Sequence, residues 1–250
     1  LLAEFASRPL FTPYLVHLTL VVLATAGIWR MPEPGLARRF GDVQVARLSV
    51  PAAVRGTFVR SSVTVFAGFA VLGLFTAVSP LFLRHVLGVT DPATAGVVVA
   101  GLFAASSLGQ VVALRPPGPA AMSIGCWTLA IGVLVLATAL ATASWTLLLA
   151  AVAIAGLGQG IGFRAALALL NREAPADRRG EITSGLFVVA YLAISVPVVG
   201  EGLLAQAAGI RLAGVAFSLA VAVLAVGAAR SSRPARASSI ARSSRARAAT

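Results

Sequence analysis

Seven apolar blocks follow one another along the chain, and they constrain its fold more than any other feature. They cover residues 10–29, 62–83, 92–114, 119–142, 145–170, 182–207 and 210–229. A helix needs roughly 20 apolar residues to cross about 30 Å of hydrocarbon. Because 58% of the 250 residues are hydrophobic and only 11% are charged, a soluble domain of this size could not bury them. The sequence therefore predicts an all-α integral membrane protein, a polytopic bundle with seven spans in contact with lipid.

The arginines are distributed unevenly between the two sides of this predicted bundle. Most connections are short, so neighbouring helices are antiparallel and alternate connections lie on the same side. Sixteen of the 20 basic residues, all arginine, fall on the side that holds residues 30–61 and the C-terminal tail, and three fall on the other side. The positive-inside rule then places the long connection and the tail in the cytoplasm. We expect a multi-pass protein of the plasma membrane.

The tail from residue 230 onward contains six arginines among serines and alanines and has no acidic residue. Such a segment has too few large apolar residues to form a core, so we expect it to be disordered and to lie near anionic lipid. Because its charge follows from the positive-inside rule, no nucleic-acid partner is expected. His17 and His85 are isolated and Cys126 is the single cysteine, so we expect no metal site, disulfide or cofactor.

The two ends of the chain resemble each other. Residues 1–27 and 203–229 share an opening LLA, a turn with an arginine and a final apolar helix, and a basic stretch follows each. At a constant offset of 202 the identical positions are Leu1, Leu2, Ala3, Ala6, Leu10, Val21 and Ala26. Two similar halves joined by a long cytoplasmic loop are the construction of one large group of transporters.

One stretch carries the resemblance further: "GLGQGIGFRAALALLNREAPADRRGEITSG", residues 156–185. A glycine-rich helix is followed by a short loop with Pro175 and Arg179-Gly180, and then by small residues that enter the next helix. The chain resembles the C-terminal half of a major facilitator superfamily transporter, preceded by the end of the N-terminal half. It departs from the family at residues 113–122, where only Arg115 and Gly118 remain of a charged loop signature.

This resemblance implies a domain organisation and a function. The implied segments are the end of the N-terminal half with the last part of helix 5 and helix 6 (1–29), the central cytoplasmic loop (30–61), the six-helix C-terminal half with helices 7–12 (62–229), and the tail (230–250). The implied function is secondary active transport of a small molecule by alternating access, coupled to protons. The scarcity of charge in the spans favours an amphiphilic substrate, and export is expected only from the frequency of exporters in the family. The rest of the N-terminal half is then an expected partner that precedes Leu1.

Four glycines on alternate positions could belong to a phosphate-binding loop or to a helix. Gly156, Gly158, Gly160 and Gly162 lie inside a continuous apolar block, whereas a phosphate loop requires an irregular turn between a strand and a helix. In a helix they form two interleaved GxxxG pairs on nearly opposite faces. The pattern predicts that two neighbouring helices approach this one closely, and glycine also allows the helix to bend or slide.

Glu201 is the strongest candidate for proton coupling, because it is the one carboxylate well inside a span of the six-helix half. A carboxylate there can exchange a proton as its surroundings change from wet to dry. Pro197 and Gly200 precede it and would supply backbone freedom. The alternative is an interfacial glutamate that reaches water or pairs with Arg84 or Arg211.

Other polar and aromatic residues inside the spans are candidates for a substrate pathway. Arg164 would be a fixed positive charge facing the pathway, or would extend its guanidinium outward to the cytoplasmic boundary. The remaining candidates are Gln159, Gln110, Tyr191, Phe66 and Phe69. Each of these could instead make a contact between helices or with lipid.

Charged residues in the cytoplasmic loops could form a gate. The candidates are Arg115, Asp177, Arg178, Arg179 and Glu181. Asp177 and Glu181 flank the start of a span, where the helix dipole favours acids, and could pair with Arg178 or Arg179 in a structural role. Two other function classes remain open: a non-transporting assembly subunit, such as an inactive half-transporter, and an intramembrane enzyme. No His, Asp and Ser cluster or nucleotide motif supports an enzyme.

Overall fold

The structure, a computed structural model, describes residues 8, 11–31, 49–86, 88–113 and 118–232. Within these residues it contains no strand and has seven long helices. They are α1 (Thr12–Trp29), α2 (Arg55–Val86), α3 (Pro92–Val112), α4 (Pro119–Thr142), α5 (Trp145–Glu173), α6 (Arg179–Ala208) and α7 (Ile210–Ser231). All seven are long and apolar enough to cross a membrane. The prediction of an all-α polytopic membrane bundle is therefore confirmed.

Local signals in the sequence set the helix ends. Asp91 accepts hydrogen bonds from the backbone N–H groups of Ala93 and Thr94 at 2.9 and 3.2 Å, which satisfies donors at the start of α3. Two tight turns use left-handed backbone, at Ala143 between α4 and α5 (φ 52°) and at Gly209 between α6 and α7 (φ 87°). Because these connections are so short, the helices that they join are antiparallel.

The starts of α2 and α6 lie earlier than the predicted residues 62 and 182, and they share a motif. Pro51-Ala52 and Pro175-Ala176 are each followed, after two intervening residues, by an Arg-Gly pair. In both places a short 3-10 turn, Ala52–Val54 or Ala176–Arg178, leads directly into the helix. The proline supplies an extended residue before the first turn in each case. The motif occurs where two helices enter the bundle from the same end.

Helices α2 and α5 form the centre of the bundle and are antiparallel. The Ser61 hydroxyl of α2 donates to the Ala166 carbonyl of α5 at 3.3 Å, and Gly68 lies against the side chain of Gln159. Helices α3 and α4 pack against α5, helices α6 and α7 pack against α2, and α4 packs against α7. The buried apolar core fills the space between these helices.

The six helices α2–α7 consist of two three-helix units, α2–α4 and α5–α7, with mostly equivalent contacts. Exchanging α2 with α5, α3 with α6, and α4 with α7 converts the contacts of α2 with α6 and α7 into those of α5 with α3 and α4, and leaves the α2–α5 and α4–α7 contacts in place. The contact between α6 and α7 has no counterpart of similar extent between α3 and α4.

The directions agree as well. Helix α3 runs parallel to α5, since Leu102 lies beside Gly156 and Gly109 lies beside Ile161. Helix α6 runs parallel to α2, since Glu181 contacts Ser49, which precedes α2, and Ile194 lies beside Gly73. Because each unit has three spans, the second unit begins on the opposite side of the membrane. The two units therefore have most of the contact pattern expected of an inverted repeat.

Helix α1 differs from the other six because none of its residues is buried. Residues 1–7 and 9–10, most of the loop 30–61, and the tail beyond residue 232 lie outside the described residues. The predicted division into the end of one half, a central loop, a six-helix half and a tail therefore stays a prediction.

Candidate functional site

Glu201 lies on the face of α6 that is turned into the bundle, between α2 and α7. The residue is only 3% exposed. Within the described structure, neither of its carboxylate oxygens has a hydrogen-bond partner. Gly214 of α7 lies next to the carboxylate, since a Cβ at that glycine would make an ordinary contact with Glu201 Oε1 at 3.8 Å, although it would crowd Leu140 Cδ1 at 2.7 Å. The site is thus a buried carboxylate without a counter-charge among the described residues.

A cavity of about 290 Å³ lies beside this carboxylate, between α2, α6 and α7. Its walls include Phe66 and Ala70 from α2, Pro197 and Leu204 from α6, and Phe217 and Leu224 from α7. Glu201 is the one ionisable residue among the described residues that line it. We call this space, with Glu201, the Glu201 cavity.

On its other side Glu201 borders a much smaller cavity of about 20 Å³. Its other walls are wholly apolar and come from α2 (Phe75 and Phe82), α4 (Leu140), α5 (Leu148) and α7 (Ile210). Arg84 and Arg211 are exposed, and in the described structure neither pairs with Glu201. Pairing with these arginines therefore does not explain why a glutamate is buried here.

The four glycines of α5 face three different helices. Gly156 and Gly160 lie against α3, where a Cβ on Gly160 would overlap the Ser106 carbonyl. Gly158 lies against the backbone of Leu129 on α4, and Gly162 lies near α2 and α4. Helix α5 is thus in backbone contact with two neighbours, which glycine alone allows because it has no side chain.

The partner helices contribute glycines that the sequence analysis did not single out. Gly109 of α3 lies against the Leu157 carbonyl, Gly125 of α4 lies against Gly162, and Gly132 of α4 lies against Ala155. On α4 the two glycines are seven residues apart, which places them on the same face of the helix about two turns from each other. This spacing was the sequence signal that could have identified a close contact.

Arg164 caps the end of a neighbouring helix. Its Nε donates a hydrogen bond to the carbonyl of Ala113 at 3.2 Å, and Ala113 is the C-cap residue of α3. A positive charge at a helix C-terminus satisfies an unpaired carbonyl and interacts favourably with the helix dipole. The position is far along α5 from the level of the Glu201 cavity.

The other pathway candidates lie in three different environments. Gln159 is buried and accepts a hydrogen bond from the Ser106 hydroxyl of α3, whereas Gln110 is half-buried. Tyr191 is 69% exposed on the outer face of α6. Phe66 lines the Glu201 cavity, and Phe69 makes an edge-to-face contact with Phe163 at 5.3 Å between ring centroids. Only Phe66 of this group lies at the Glu201 cavity.

At the opposite end of α6, Arg178 and Glu181 form an ion pair at 2.9 Å. The pair also holds Ser49, because the Ser49 N–H donates to Glu181 at 2.8 Å and the Ser49 carbonyl accepts from Arg178 at 3.1 Å. We call these three residues the Ser49 clamp. Arg179 donates to the Ala174 carbonyl at 3.4 Å. Asp177 is exposed, and Arg115 lies outside the described residues.

A second polar network at this end was not anticipated from the sequence. The Thr57 hydroxyl of α2 donates to the Glu173 carboxylate at the end of α5, and the Arg60 guanidinium donates to Thr57 at 3.1 Å. Thr183 of α6 also donates to Asn171 of α5 at 2.9 Å. The bond between Thr57 and Glu173 joins residues 116 positions apart in the chain, so these two residues form no local pattern that a search along the sequence could detect.

Comparison with known proteins gave no relative: no family model, no curated protein and no solved structure matches the chain. Arguments about function therefore depend on the geometry of the helices and of the Glu201 cavity.

Proposed function

We propose that this chain is part of a secondary active transporter of the major facilitator type, which moves a small amphiphilic molecule across the plasma membrane by alternating access. The observation that supports it most is the contact pattern of α2–α4 and α5–α7, most of which is that of an inverted repeat. Inverted three-helix repeats nested within each six-helix half are a property of these transporters. The six helices would be one half, and α1 would be the last helix of the other.

The Glu201 cavity supports coupling to protons. An ionisable residue inside a membrane protein is costly and usually marks an ion or proton pathway. Glu201 lies among apolar walls, so a change between wet and dry surroundings would change its tendency to hold a proton. Alternating access supplies such a change, because the same site opens to each side in turn.

The orientation follows from the arginines. The end of the bundle with the Ser49 clamp would be cytoplasmic, and the end with Glu201 external. A reporter domain fused after residue 230 should then be cytoplasmic, and one inserted near Asp91 should be external. The reverse pair of results would overturn this topology.

Alternating access can be tested without knowing the substrate. The single cysteine, Cys126, is buried and can be replaced by serine in the full-length protein. A new cysteine at Leu204 reports on the Glu201 cavity. One at Val188 reports on a cavity of about 210 Å³ next to the Ser49 clamp. A membrane-impermeant maleimide should label each from a different side of the membrane.

The decisive step is to close one end and measure the other. Cysteines at Trp29, the last residue of α1, and at Gly185, beside the Ser49 clamp, can be joined by a bis-maleimide linker, which ties the two proposed halves together at this end. In a transporter this closure should increase labelling at Leu204. If labelling at Leu204 is the same with and without the cross-link, or if neither site is labelled, the chain would be a non-transporting membrane subunit instead.

A further inference from the structure

We propose that the Glu201 cavity binds a hydrophobic organic cation that carries a single positive charge. This inference rests on the proposed transport function, and it names the substrate class of the same site. It starts from three observations: a buried carboxylate that lacks a partner, a cavity next to it, and walls that are apolar apart from that carboxylate.

The charge of the ligand follows from the electrostatics of the site. An ionised carboxylate in apolar surroundings carries a large desolvation cost unless an opposite charge lies next to it. The described residues around Glu201 on α2, α4, α5, α6 and α7 include no other titratable group, and Arg84 and Arg211 are exposed. A bound cation would supply the missing counter-charge. One carboxylate matches one positive charge.

The rest of the ligand must be apolar. Apart from the carboxylate, the walls offer aliphatic and aromatic surfaces, including Phe66 and Phe217, and aromatic faces are favourable neighbours for organic cations. A sugar or a polar metabolite would lose its hydrogen bonds to water and gain few in return. A divalent metal ion needs several oxygen ligands, and the described residues contain no group of three or more side chains suited to a metal.

The route into the cavity also favours a hydrophobic ligand. Leu204 and Leu224 line the cavity and are 38% and 41% exposed on the outer surface of the bundle. Both side chains are aliphatic, so the entrance presents a hydrophobic surface to an incoming ligand. An amphiphilic cation is therefore a better match for this entrance than a polar molecule.

A direct consequence is competition between proton and cation. Because Glu201 is the one ionisable group of the described residues at this cavity, it can neutralise its charge with either of them but not with both. Binding of the cation to the protonated site would release one proton. Transport would then exchange the two across the membrane.

The test is a calorimetric titration of the purified full-length protein in detergent with tetraphenylphosphonium. Titrations in two buffers with different ionisation enthalpies report the number of protons released. We expect saturable binding, weaker at acidic pH than at alkaline pH, with release of a proton at acidic pH. Tetraphenylborate has the same shape and the opposite charge, and it should show no binding that depends on Glu201.

Four variants separate charge from shape. Glu201→Gln should weaken tetraphenylphosphonium binding by about tenfold or more and abolish proton release. Glu173→Gln, which removes an exposed carboxylate at the other end of the bundle, should bind like the wild type. Ala216→Phe narrows the cavity and should weaken binding while proton release per bound cation is unchanged. Glu201→Asp should keep the charge dependence even if Glu201→Gln does not fold.

Two results would overturn the cation site: wild-type affinity in Glu201→Gln, or binding of tetraphenylborate that is lost in the same variant. The outcomes also separate this inference from the transport proposal. Reciprocal labelling without cation binding would refute the cation site and leave the transporter. Cation binding without reciprocal labelling would refute the transport proposal and leave the cation site.

Discussion

The repeated contact pattern produces two similar groups of three helices, and they differ in how closely they pack. In one group α5 contacts both α3 and α4; in the other α2 contacts both α6 and α7, which also contact each other. The backbones around α5 touch at Gly158 and Gly160. Helices α2, α6 and α7 border the open Glu201 cavity of about 290 Å³.

Side-chain size explains this difference. Helix α5 presents four glycines to its neighbours, and α3 and α4 present further glycines in return. Helix α2 has Gly68 and Gly73 in close contacts, but Phe66 lines the space toward α7. Small residues allow helices to approach closely, whereas a large side chain keeps them apart. The two groups of three helices are therefore arranged similarly, and the size of their side chains determines which group contains a cavity.

The largest effect is expected from breaking the close contact around α5. Gly160→Leu would force a side chain into the Ser106 carbonyl of α3. Overpacking typically costs about 1–3 kcal/mol and occasionally more, and a clash with backbone belongs at the upper end of this range. We expect most of the folded protein to be lost, as measured by the monodisperse fraction in size-exclusion chromatography. Gly158→Leu should behave in the same way.

Gly227→Leu is the matched control, because a Cβ at Gly227 meets no atom within 4 Å. This variant should elute like the wild type. Equal tolerance of leucine at positions 158, 160 and 227 would show that the close contact does not hold the bundle together.

The second prediction concerns the open group of helices. In the complete protein, Glu201→Gln should abolish proton-driven uphill transport and leave folding intact, because the amide cannot exchange a proton. Glu201→Asp should retain part of the activity. Uptake into proteoliposomes with an imposed pH gradient measures both variants, and uphill transport by Glu201→Gln at the normal rate and at every pH would place the coupling residue elsewhere.

A smaller effect is expected on stability. Replacing Glu201 and Glu181 of α6 by leucine should change the free energy of unfolding in opposite directions. Glu201 has no hydrogen-bond partner among the described residues, so Glu201→Leu should raise the free energy of unfolding by about 1–3 kcal/mol. Glu181→Leu should lower it, because Glu181 pairs with Arg178 and Ser49. Thermal unfolding in detergent compares the two. A lower Tm for Glu201→Leu would indicate that the carboxylate has a stabilising partner.

The smallest effect should come from the Ser49 clamp. Arg178→Ala removes a partly exposed ion pair, and such pairs contribute little to stability and are screened by salt. We expect a small decrease in Tm that disappears at high ionic strength. Arg172→Ala, at an exposed position of the same loop region, should not change Tm. A decrease as large as that of Gly160→Leu would show that the clamp is essential for folding.

Much of the bundle was predictable because the relevant signals are local. Apolar length identified all seven spans, and Asp91-Pro92 marked the start of α3 where the structure has it. The start of α2 was placed too late, at residue 62 instead of 55, because Arg55, Arg60 and the serines beside them lower the local apolarity. In the structure these residues continue the helix beyond the apolar block, toward the Ser49 clamp.

The sequence by itself determined the number of spans and the interleaved pairs of glycines, because both depend only on the length and the period of one helix. It could not assign the neighbours of those glycines, and it did not separate a Glu201 that pairs with an arginine from one that is buried alone. Those features depend on contacts between α2, α6 and α7, and α2 and α6 are more than 90 residues apart in the chain. Only the tertiary structure brings their apolar faces around the carboxylate and leaves the cavity beside it.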